Sequence, residues 1–547
     1  MSKEDAQVGV VPPTYDSEKG AHNTAGDGHI PENFREDDFM TRNGLNLKSF
    51  QRRDYGTGDS ELDRSMKPRH LQMIAIGGSI GAGFFVGSGS ALTKGGPGSV
   101  LICFLIAGIM IFNVVYALGE LAVLYPVFQW VIVLPLELTV CSFTIQYWNK
   151  DISVAVWITI FWLFIIIINV FGTLGFAEEE FISSAFKLFA TVIFMVVALI
   201  LICGGGPKGG KYDEYWGNRL WSDPGAFQNG FRGFCSVFVT AAFSFSGTEL
   251  VGLAAAESAN PAKSLPGAIK QVFWRITLFY VLGLTFVGLL VSSTDERLLN
   301  SANPYADGVS PFVLAPEDAG LYGYNDFMNV VILVSVISIG VSCVYGGSRT
   351  LTALAQQGYA PKIFAYIDRS GRPLPSVVVN LVFGALAYVR LASSGGVVFD
   401  WLLSLSGLAA LFTWGSICAA HIRFRAAWKA QGHTLDELPF QAVGGVAGSW
   451  LGLFFIIIFL IAQFFVAICP PGGGFASAED FFKAYLALPV VLFFWACGYL
   501  WKRKGFLKLS EIDLDTGRRE VDWDEINAYR AKVAAWPAWR RWASTIF

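Results

Sequence analysis

The sequence predicts an all-α polytopic membrane protein with about twelve transmembrane helices. Hydrophobic residues make up 53% of the 547-residue chain and charged residues only 15%, whereas soluble domains carry about 25% charged residues. The apolar residues recur in runs of about 20, the length that a helix needs to cross the hydrocarbon core. The strands of a membrane barrel would be shorter and would alternate apolar with polar residues. Helices are therefore the expected spanning elements.

The chain divides into two polar tails and a membrane domain. The twelve expected spans lie at residues 71–92, 98–124, 128–148, 153–172, 182–203, 233–256, 272–292, 326–348, 376–394, 398–420, 450–469 and 481–501. Residues 1–66 are polar and lack the apolar core of a cleavable signal peptide, so span 1 is expected to direct targeting. We predict a disordered tail over 1–66, a membrane domain over 67–502 and a second tail over 503–547.

Basic residues in short loops favour a cytoplasmic location for both termini. The loop after span 6, with Lys263, Lys270 and Arg275, then lies inside, as do the basic loops after spans 8 and 10. The loop after span 7 is acidic and lies outside. Two loops go against this orientation, the basic one after span 5 and the one after span 4, which holds Glu178, Glu179 and Glu180.

Span 1 is crowded with glycine between Ile76 and Gly89. Glycine in a helix interior costs about 1 kcal/mol relative to alanine, a cost that a lipid-facing anchor has no reason to carry. A helix that unwinds at mid-membrane uses glycine because its backbone groups can turn toward a ligand. Free N–H groups where the helix restarts form an anion site. We interpret Ser79, Gly81 and Gly83 as the lining of a carboxylate site; the alternative is close helix packing through small residues.

Span 6 carries a second polar interruption. Its middle, from Ser244 to Glu249, holds two serines, a glycine, a threonine and a carboxylate. It lies five spans after the first interruption, and two interrupted helices in corresponding halves indicate a transporter site built on inverted repeats. The repeats would cover about 71–203 and 233–420, with the extra helices at about 450–501 outside them.

Several longer stretches resemble the fungal amino-acid permeases, the yeast amino acid transporter family of the amino acid–polyamine–organocation superfamily. They run from residue 67 to the C-terminal tail and read KPRHLQMIAIGGSIGAGFFVGSG, YALGELAVLYPV, LPLELTVCSFTIQYW, FSFSGTELVGLAAAESANPAKSLP, KQVFWRI, CVYGGSRTLTALAQQGYAPK, FTWGSICAAHIRFR and LPFQAVGG. The match is closest to the general, broad-range permeases. The resemblance implies a leucine-transporter-like 5+5 inverted-repeat fold with two extra helices. It also implies broad-range amino-acid uptake with protons at the plasma membrane.

Ionisable residues inside the spans are candidate functional groups, because a charge at a helix centre costs at least about 2.5–3.5 kcal/mol on insertion scales. Glu249 lies where a substrate ammonium or a proton could use it. Lys187 resembles the lysine that, in related proton-coupled carriers, stands where sodium-coupled relatives bind sodium; the alternative is a lysine that snorkels to the interface. Glu120 and Glu137 either pair structurally across the bundle or act in transport, and Glu120 is a third candidate for proton coupling.

The resemblance and the two interruptions together define the predicted substrate site. Its residues are Ser79, Gly81, Ala82, Gly83, Phe243, Ser244, Ser246, Thr248, Glu249 and Trp414. Trp414 of span 10 would cap the substrate, as a bulky aromatic residue does in the family; the alternative is simple packing.

The chain departs from the family between spans 2 and 3. Relatives continue from the YPV motif through a further segment of small and aromatic residues, whereas here Val127 runs directly into Phe128. The remaining span, 128–148, is about 31 Å long at 1.5 Å per residue and just crosses the core. One alternative function is therefore an inactive variant, and another is a non-transporting amino-acid sensor of the same fold. The 66-residue tail is short for such a sensor.

Enzymatic and cofactor chemistry is not expected. The eight cysteines show no CxxC or CxxH spacing of a zinc site, and no nucleophile–base pair or phosphate loop is visible. The expected partners are amino acids, protons and the lipid bilayer, with no nucleic acid. Family members are removed from the cell surface through ubiquitin on tail lysines, so we also expect ubiquitin-ligase adaptors at the tails, with Lys3 and Lys19 as acceptors.

Overall fold

The computed structural model describes residues 39–52, 66–124, 133–148, 151–258, 261–299, 309–391, 395–503, 505, 507–515 and 522–541. Within these ranges the chain forms helices and connecting loops, with two isolated β-bridges. Helical segments occupy all twelve expected spans. Among the described residues, seven helices are long and apolar enough to cross a membrane, or eight if the bent pair in span 12 is one span. The predicted all-α polytopic fold is confirmed.

The first five spans contain one sharp turn and one broken helix. Span 1 consists of the helices Pro68–Gly77 and Ala82–Phe85 and the first turns of Gly87–Leu124. This last helix turns at Gly96, whose φ of 78° lies in the left-handed region that favours glycine, and span 2 follows from there. Spans 3, 4 and 5 are Val133–Gln146, Val154–Val170 and Gly172–Ile202.

The remaining spans follow the same chain order. Span 6 comprises the helices Gly230–Phe245 and Leu250–Ala256. Span 7 comprises the helix Pro261–Trp274, the π-helical stretch Arg275–Gly283 and the helix Leu284–Leu290. Spans 8, 9 and 10 are Tyr324–Gln356, Leu374–Gly384 continued by Ala385–Leu391, and Gly395–Ala430. Spans 11 and 12 are Gly445–Ile468 and the pair Ala478–Tyr485 and Ala487–Lys502. A short buried helix, Pro311–Asp318, precedes span 8.

Span 5 shows how the sequence pattern positions polar groups inside the bundle. Its large apolar residues at positions such as Phe189 and Val196 are exposed on the outer surface. Its buried face carries Glu180, Ser184 and Lys187, residues spaced three and four apart and therefore on one side of a helix. The polar stripe of this helix consequently faces the other spans.

Two expectations about loops are wrong. Span 5 begins at Gly172 rather than at residue 182, so Glu178, Glu179 and Glu180 belong to its helix and not to a loop. Lys263, Lys270 and Arg275 likewise belong to the helical segments of span 7 rather than to the preceding loop. Hydropathy assigns charged residues to loops because it counts their cost in lipid but not the partners that they find inside the bundle.

Part of the predicted disordered tail is ordered. Residues 39–52 form the helix Phe39–Arg42 and a 3₁₀ turn, Leu47–Phe50. This segment packs on the loop after span 8, where the guanidinium of Arg372 lies 4.4 Å from the Phe50 ring centroid and donates to Ser49 Oγ at 3.0 Å. The Arg372 guanidinium also bonds the carbonyl of Val170 at the end of span 4.

The second tail packs on the same side of the molecule. Gln431 Nε2 donates to the carbonyl of Ile512 at 2.8 Å, and Leu514 joins a small apolar cluster with Trp428 and Leu438. We call the surface that carries the segments 39–52 and 507–515 the tail face. Span 5 starts at this face, because Gly172 lies against Arg372.

Candidate functional site

The two helix breaks predicted from the sequence are present, and they touch each other. Span 1 is interrupted over residues 78–81 and span 6 over residues 246–249. Gly247 has a φ of 99°, a left-handed conformation that favours glycine. A Cβ at this glycine would lie 3.1 Å from the Cβ of Ser79. The break of span 6 therefore passes directly against the break of span 1.

Tyr280 of span 7 holds the two breaks together. Its hydroxyl lies 2.7 Å from the carbonyl oxygen of Ser244 and 3.1 Å from that of Ser79. The ring is fully buried and stacks on Phe245 with centroids 4.2 Å apart. The single phenol hydrogen is shared between two carbonyl groups at the broken helices, with the shorter contact to Ser244. Sequence reasoning missed this residue, because an aromatic residue inside an apolar span is usually simple packing.

The glycines of span 1 serve close helix packing. A Cβ on Gly83 would lie 2.6 Å from the Cα of Ser244, and one on Gly81 would overlap the side chain of Ile339 in span 8. Ser244 Oγ lies 2.7 Å from the Gly83 carbonyl oxygen. This is the packing alternative stated from the sequence, and for these two glycines the structure supports it.

Ser79 differs from those glycines because its side chain is available to a ligand. The residue is only 3% exposed, and within the described part of the chain its Oγ has no hydrogen-bond partner. A buried hydroxyl without a partner costs about 1–3 kcal/mol, so such groups normally bond something. This hydroxyl lies at the contact of the two breaks, where a bound molecule would meet it.

Glu249, the last residue of the span 6 break, is hydrogen-bonded to Trp414 of span 10. Trp414 Nε1 donates to Glu249 Oε2 at 3.2 Å, and the indole is fully buried. The structure thus brings span 10 to the break of span 6, as the predicted cap requires. Phe243 and Ala82 are buried beside the breaks, and Ser246 is half-buried. Of the ten predicted residues, five lie within the breaks, Ala82 and Gly83 follow the first break, Phe243 and Ser244 precede the second, and Trp414 contacts Glu249.

Thr248 has a structural partner rather than a free hydroxyl. Its Oγ1 donates to the carbonyl of Phe245 at 2.6 Å and accepts a hydrogen bond from Arg275 at 2.6 Å. Arg275 Nη1 donates to the carbonyl of Ala75 at 2.7 Å. This fully buried guanidinium connects the first half of span 1 to the break of span 6. Arg275 was missed because it was counted with the basic loop after span 6, although residue 275 lies inside the expected span 272–292.

We expect Arg275→Gln to lower amino-acid uptake at least about tenfold. Hydrogen bonds to a charged group contribute about 1.5–3 kcal/mol each, and 1.4 kcal/mol corresponds to a factor of ten. Arg275→Lys should not restore uptake, because one ammonium does not reproduce the fixed fork of a guanidinium. Initial uptake rates, normalised to surface-labelled protein, measure the effect. Lys270→Gln on the same helix is the matched control, and equal losses in both variants would contradict a specific role of Arg275.

Lys187 lies beside the first half of span 1 and not at the membrane–water interface. It is fully buried, and its Nζ donates to the carbonyl of Gly77 at 3.2 Å and to Ser338 Oγ at 3.1 Å. Its Nζ also lies 3.5 Å from Glu180 Oε1. The snorkelling alternative is therefore wrong. Lys187 connects the residue before the span 1 break to span 8.

Glu120 belongs to a separate cluster at the tail face. Its Oε2 accepts hydrogen bonds from Arg425 Nη2 and from the backbone N–H of Ala442, both at 2.7 Å, and His421 Nε2 lies 3.1 Å from Oε1. These partners come from span 10 and the loop after it. The geometry favours the structural alternative for Glu120 over proton coupling. Glu137 is 2% exposed and makes no ion pair among the residues that the structure describes.

Packed groups separate the breaks from both faces of the molecule. Toward the tail face, Arg349 Nε lies 2.8 Å from Glu257 Oε1, and both side chains are nearly fully buried. On the opposite side, Phe312 of the short helix before span 8 packs against Phe84 and Phe85, with ring centroids 4.9 and 5.1 Å apart. Buried contacts with span 8 and with the short helix therefore lie on the two sides of the breaks.

Comparison with known proteins identifies a matching family and several similar proteins. A sequence model of the family described as "Amino acid permease" matches residues 70–127 and 124–511. The amino-acid permease inda1 of Hypocrea atroviridis is 66% identical over 93% of this chain and 93% of its own length. The general amino-acid permeases GAP1 of Saccharomyces cerevisiae and GAP2 of Candida albicans are each 48% identical over 89% of this chain, and over 86% and 87% of their own lengths.

The family match is interrupted at one place. Its two parts, 70–127 and 124–511, overlap at residues 124–127, the place where a departure from the family pattern is expected from the sequence. The junction itself, from Tyr125 to Ile132, lies outside the residues that the structure describes.

Proposed function

Because this chain belongs to the amino acid permease family, we propose that it drives amino-acid uptake by proton symport and accepts a broad range of side chains. Transport of amino acids follows from the family itself. The names of two relatives as general amino-acid permeases support the broad range. The observation that carries the proposal is the contact of two broken helices beside an unpartnered Ser79 hydroxyl and the buried Glu249.

The two ends of an amino acid fit the two sides of this contact. The α-carboxylate binds at the restart of span 1, where the first N–H groups of the helix and the Ser79 hydroxyl donate to an anion. The ammonium binds at Glu249, whose carboxylate is already oriented by the Trp414 indole. Neither interaction involves the side chain of the amino acid. Recognition through the common carboxylate and ammonium is consistent with a broad substrate range.

The bonds on the first half of span 1 explain how a proton would couple to transport. Opening toward the tail face requires Pro68–Gly77 to move, which breaks the contacts of Arg275 with Ala75 and of Lys187 with Gly77. A charged donor makes a hydrogen bond about twice as strong as a neutral one. A protonated Lys187 therefore holds Pro68–Gly77, the half-helix before the break, in place. When Lys187 loses its proton, this half-helix is released. In this scheme the tail face is cytoplasmic, and the protein resides in the plasma membrane.

Competition by substrate analogues tests the proposed site. We expect a transported amino acid to be displaced by other amino acids, but neither by the amine that lacks the carboxylate nor by the acid that lacks the ammonium. Both polar ends contribute, because a buried group left unpaired costs free energy. Competition for labelled uptake in cells measures this. An amine that competes as well as its parent amino acid would contradict a carboxylate site at the span 1 break.

Regulation through the first tail gives a separate prediction. Replacing Lys3 and Lys19 by arginine should slow nutrient-triggered removal from the cell surface without changing the initial uptake rate, because arginine keeps the charge but accepts no ubiquitin. Surface labelling over time measures this. Lys48→Arg is the matched control, since Lys48 lies in the ordered segment 39–52. Unchanged internalisation in the double variant would place the acceptor lysines elsewhere.

A further inference from the structure

Glu180 is a buried carboxylate that the proposed amino-acid site does not use. It lies in span 5, seven residues closer to the tail face than Lys187, and its side chain is fully buried. Both carboxylate oxygens are engaged. Oε1 accepts a hydrogen bond from Ser184 Oγ at 2.7 Å and lies 3.5 Å from Lys187 Nζ.

The second oxygen of Glu180 connects span 5 to span 8. Oε2 accepts hydrogen bonds from Ser338 Oγ at 2.7 Å and from Ser342 Oγ at 3.0 Å. Ser338 Oγ also accepts a hydrogen bond from Lys187 Nζ at 3.1 Å. A continuous set of hydrogen bonds therefore runs from the Gly77 carbonyl through Lys187 and Ser338 to Glu180, from the span 1 break toward the tail face.

Other carboxylates near Lys187 lack this connection. Glu179 is the neighbour of Glu180 in sequence, but its Oε1 bonds Ser183 on its own helix, and in the described structure its Oε2 has no partner. Glu137 of span 3 interacts with Lys187 through space, yet its Oε2 also has no hydrogen-bond partner among the described residues. Span 8 presents only uncharged hydroxyls to Glu180. Of the three carboxylates, Glu180 alone combines an ion pair with Lys187 and a shared hydroxyl.

We propose that Glu180 receives the proton from Lys187 and passes it to the cytoplasm, an inference that rests on the proposed proton symport. In this step an N–H bond of the Lys187 ammonium breaks, the electron pair stays on Nζ, and an O–H bond forms on the Glu180 carboxylate. The ion pair becomes a neutral pair, so the net charge of the buried cluster is unchanged. Cytoplasmic water then takes the proton from Glu180 once Pro68–Gly77 has moved, and Lys187 is recharged from the outside.

The serine hydroxyls fix which oxygen takes part. Because Ser338 and Ser342 both donate to Oε2, Oε1 stays directed toward Lys187. Glu180 is the ion-pair partner of Lys187 within the described part of the chain, and transfer of the proton to it leaves only a neutral amine at the Gly77 carbonyl. Release of the half-helix and transfer of the proton are thereby linked in one structural event.

Purified protein in liposomes tests this role, with labelled amino acid and an imposed inward proton gradient. Glu180→Gln keeps the shape but carries no titratable proton, so we expect accumulation to fall to the equilibrium level. Exchange of amino acid across the membrane without a gradient should persist, and its rate should not depend on internal pH, whereas we expect the wild-type rate to do so. Glu179→Gln is the matched control and should still accumulate. Glu180→Asp, which keeps a carboxyl, should recover part of the accumulation.

Each result decides for or against the inference. Accumulation by Glu180→Gln at the wild-type level would overturn it, and so would loss of exchange together with accumulation, because that pattern describes a structural counter-ion only. If Glu180→Gln does not fold, the double variant Ser338→Ala and Ser342→Ala provides the test, since it keeps both charges and removes both donors to Oε2; undiminished accumulation in this variant would overturn the inference. A wild type that never accumulates under the gradient would instead refute the symport, and Glu180's role with it.

Discussion

Lys187→Met should abolish proton-driven accumulation of amino acids while exchange of amino acids across the membrane persists. Methionine keeps most of the side-chain volume but donates no hydrogen bond. The Lys187 ammonium donates to the Gly77 carbonyl at 3.2 Å and to Ser338 Oγ at 3.1 Å, and both bonds would be lost. The first half of span 1 would then move whether or not a proton is available. Lys187→Arg should also fail, because arginine does not release its proton at these pH values.

Uptake into vesicles with and without an inward proton gradient measures this effect. Lys362→Met, which removes an exposed charge, is the control and should behave like the wild type. If Lys187→Met still concentrates substrate when the gradient is applied, Lys187 has only a structural role. Coupling would then have to be assigned to Glu249.

Glu249→Gln should reduce uptake by about 10- to 100-fold, because a hydrogen bond to a charged group contributes about 1.5–3 kcal/mol and 1.4 kcal/mol is a factor of ten. Glutamine still accepts the hydrogen bond of the Trp414 indole, so the protein should fold and reach the surface. What it loses is the attraction for the substrate ammonium. Glu249→Asp should give an intermediate value, since the charge remains but lies one methylene further away.

Uptake kinetics normalised to surface protein measure this loss. Glu214→Gln removes a carboxylate from an exposed loop position and is the matched control. An unchanged apparent affinity in Glu249→Gln would mean that the ammonium binds elsewhere. The carboxylate beside Trp414 would then be part of the packing alone.

The breaks of spans 1 and 6 could be predicted because their signals are local. Glycines crowd one span and small polar residues interrupt the other, and neither composition suits a plain membrane anchor. The contact between the breaks was implied by their equivalent positions in two repeats. The roles of single glycines were not predictable, because Gly81 and Gly83 are limited by Ile339 and Ser244, residues that are distant in sequence.

Arg275, Tyr280 and Glu180 could not be identified because their partners lie in other spans. A charged residue in an apolar window lowers its hydropathy, which moved Arg275 and Glu180 into loops. Inside the bundle, Arg275 bonds a carbonyl of span 1 and a hydroxyl of span 6, and these bonds offset the cost of burial. Such compensation is visible only once the helices are assembled.

The ordered segment 39–52 illustrates the same limit outside the membrane. Its polar composition is typical of a flexible tail. It is held instead by a distant loop, in which Arg372 stacks on Phe50 and bonds Ser49, and Ser370 donates a hydrogen bond to the carbonyl of Thr41. Disorder predicted from composition does not account for a docking partner located elsewhere in the chain.

The shortened connection between spans 2 and 3 bears on activity rather than on family membership. The family match continues on both sides of residues 124–127, and Val133–Gln146 forms a helix in the place of span 3. Sequencing the transcript across the codons for Val127 and Phe128 decides whether this join is genuine. A transcript that encodes the additional segment would show that the natural protein has a longer span 3.

Proton-driven uptake by the purified wild-type protein in liposomes tests the central claim most directly. We expect labelled amino acid to accumulate above its external concentration when the outside is more acidic, and to leak back when an uncoupler removes the gradient. Protein that binds amino acids but only equilibrates them, or does not move them under the gradient, would contradict proton symport. In the second case the sensor or inactive alternative would describe this chain.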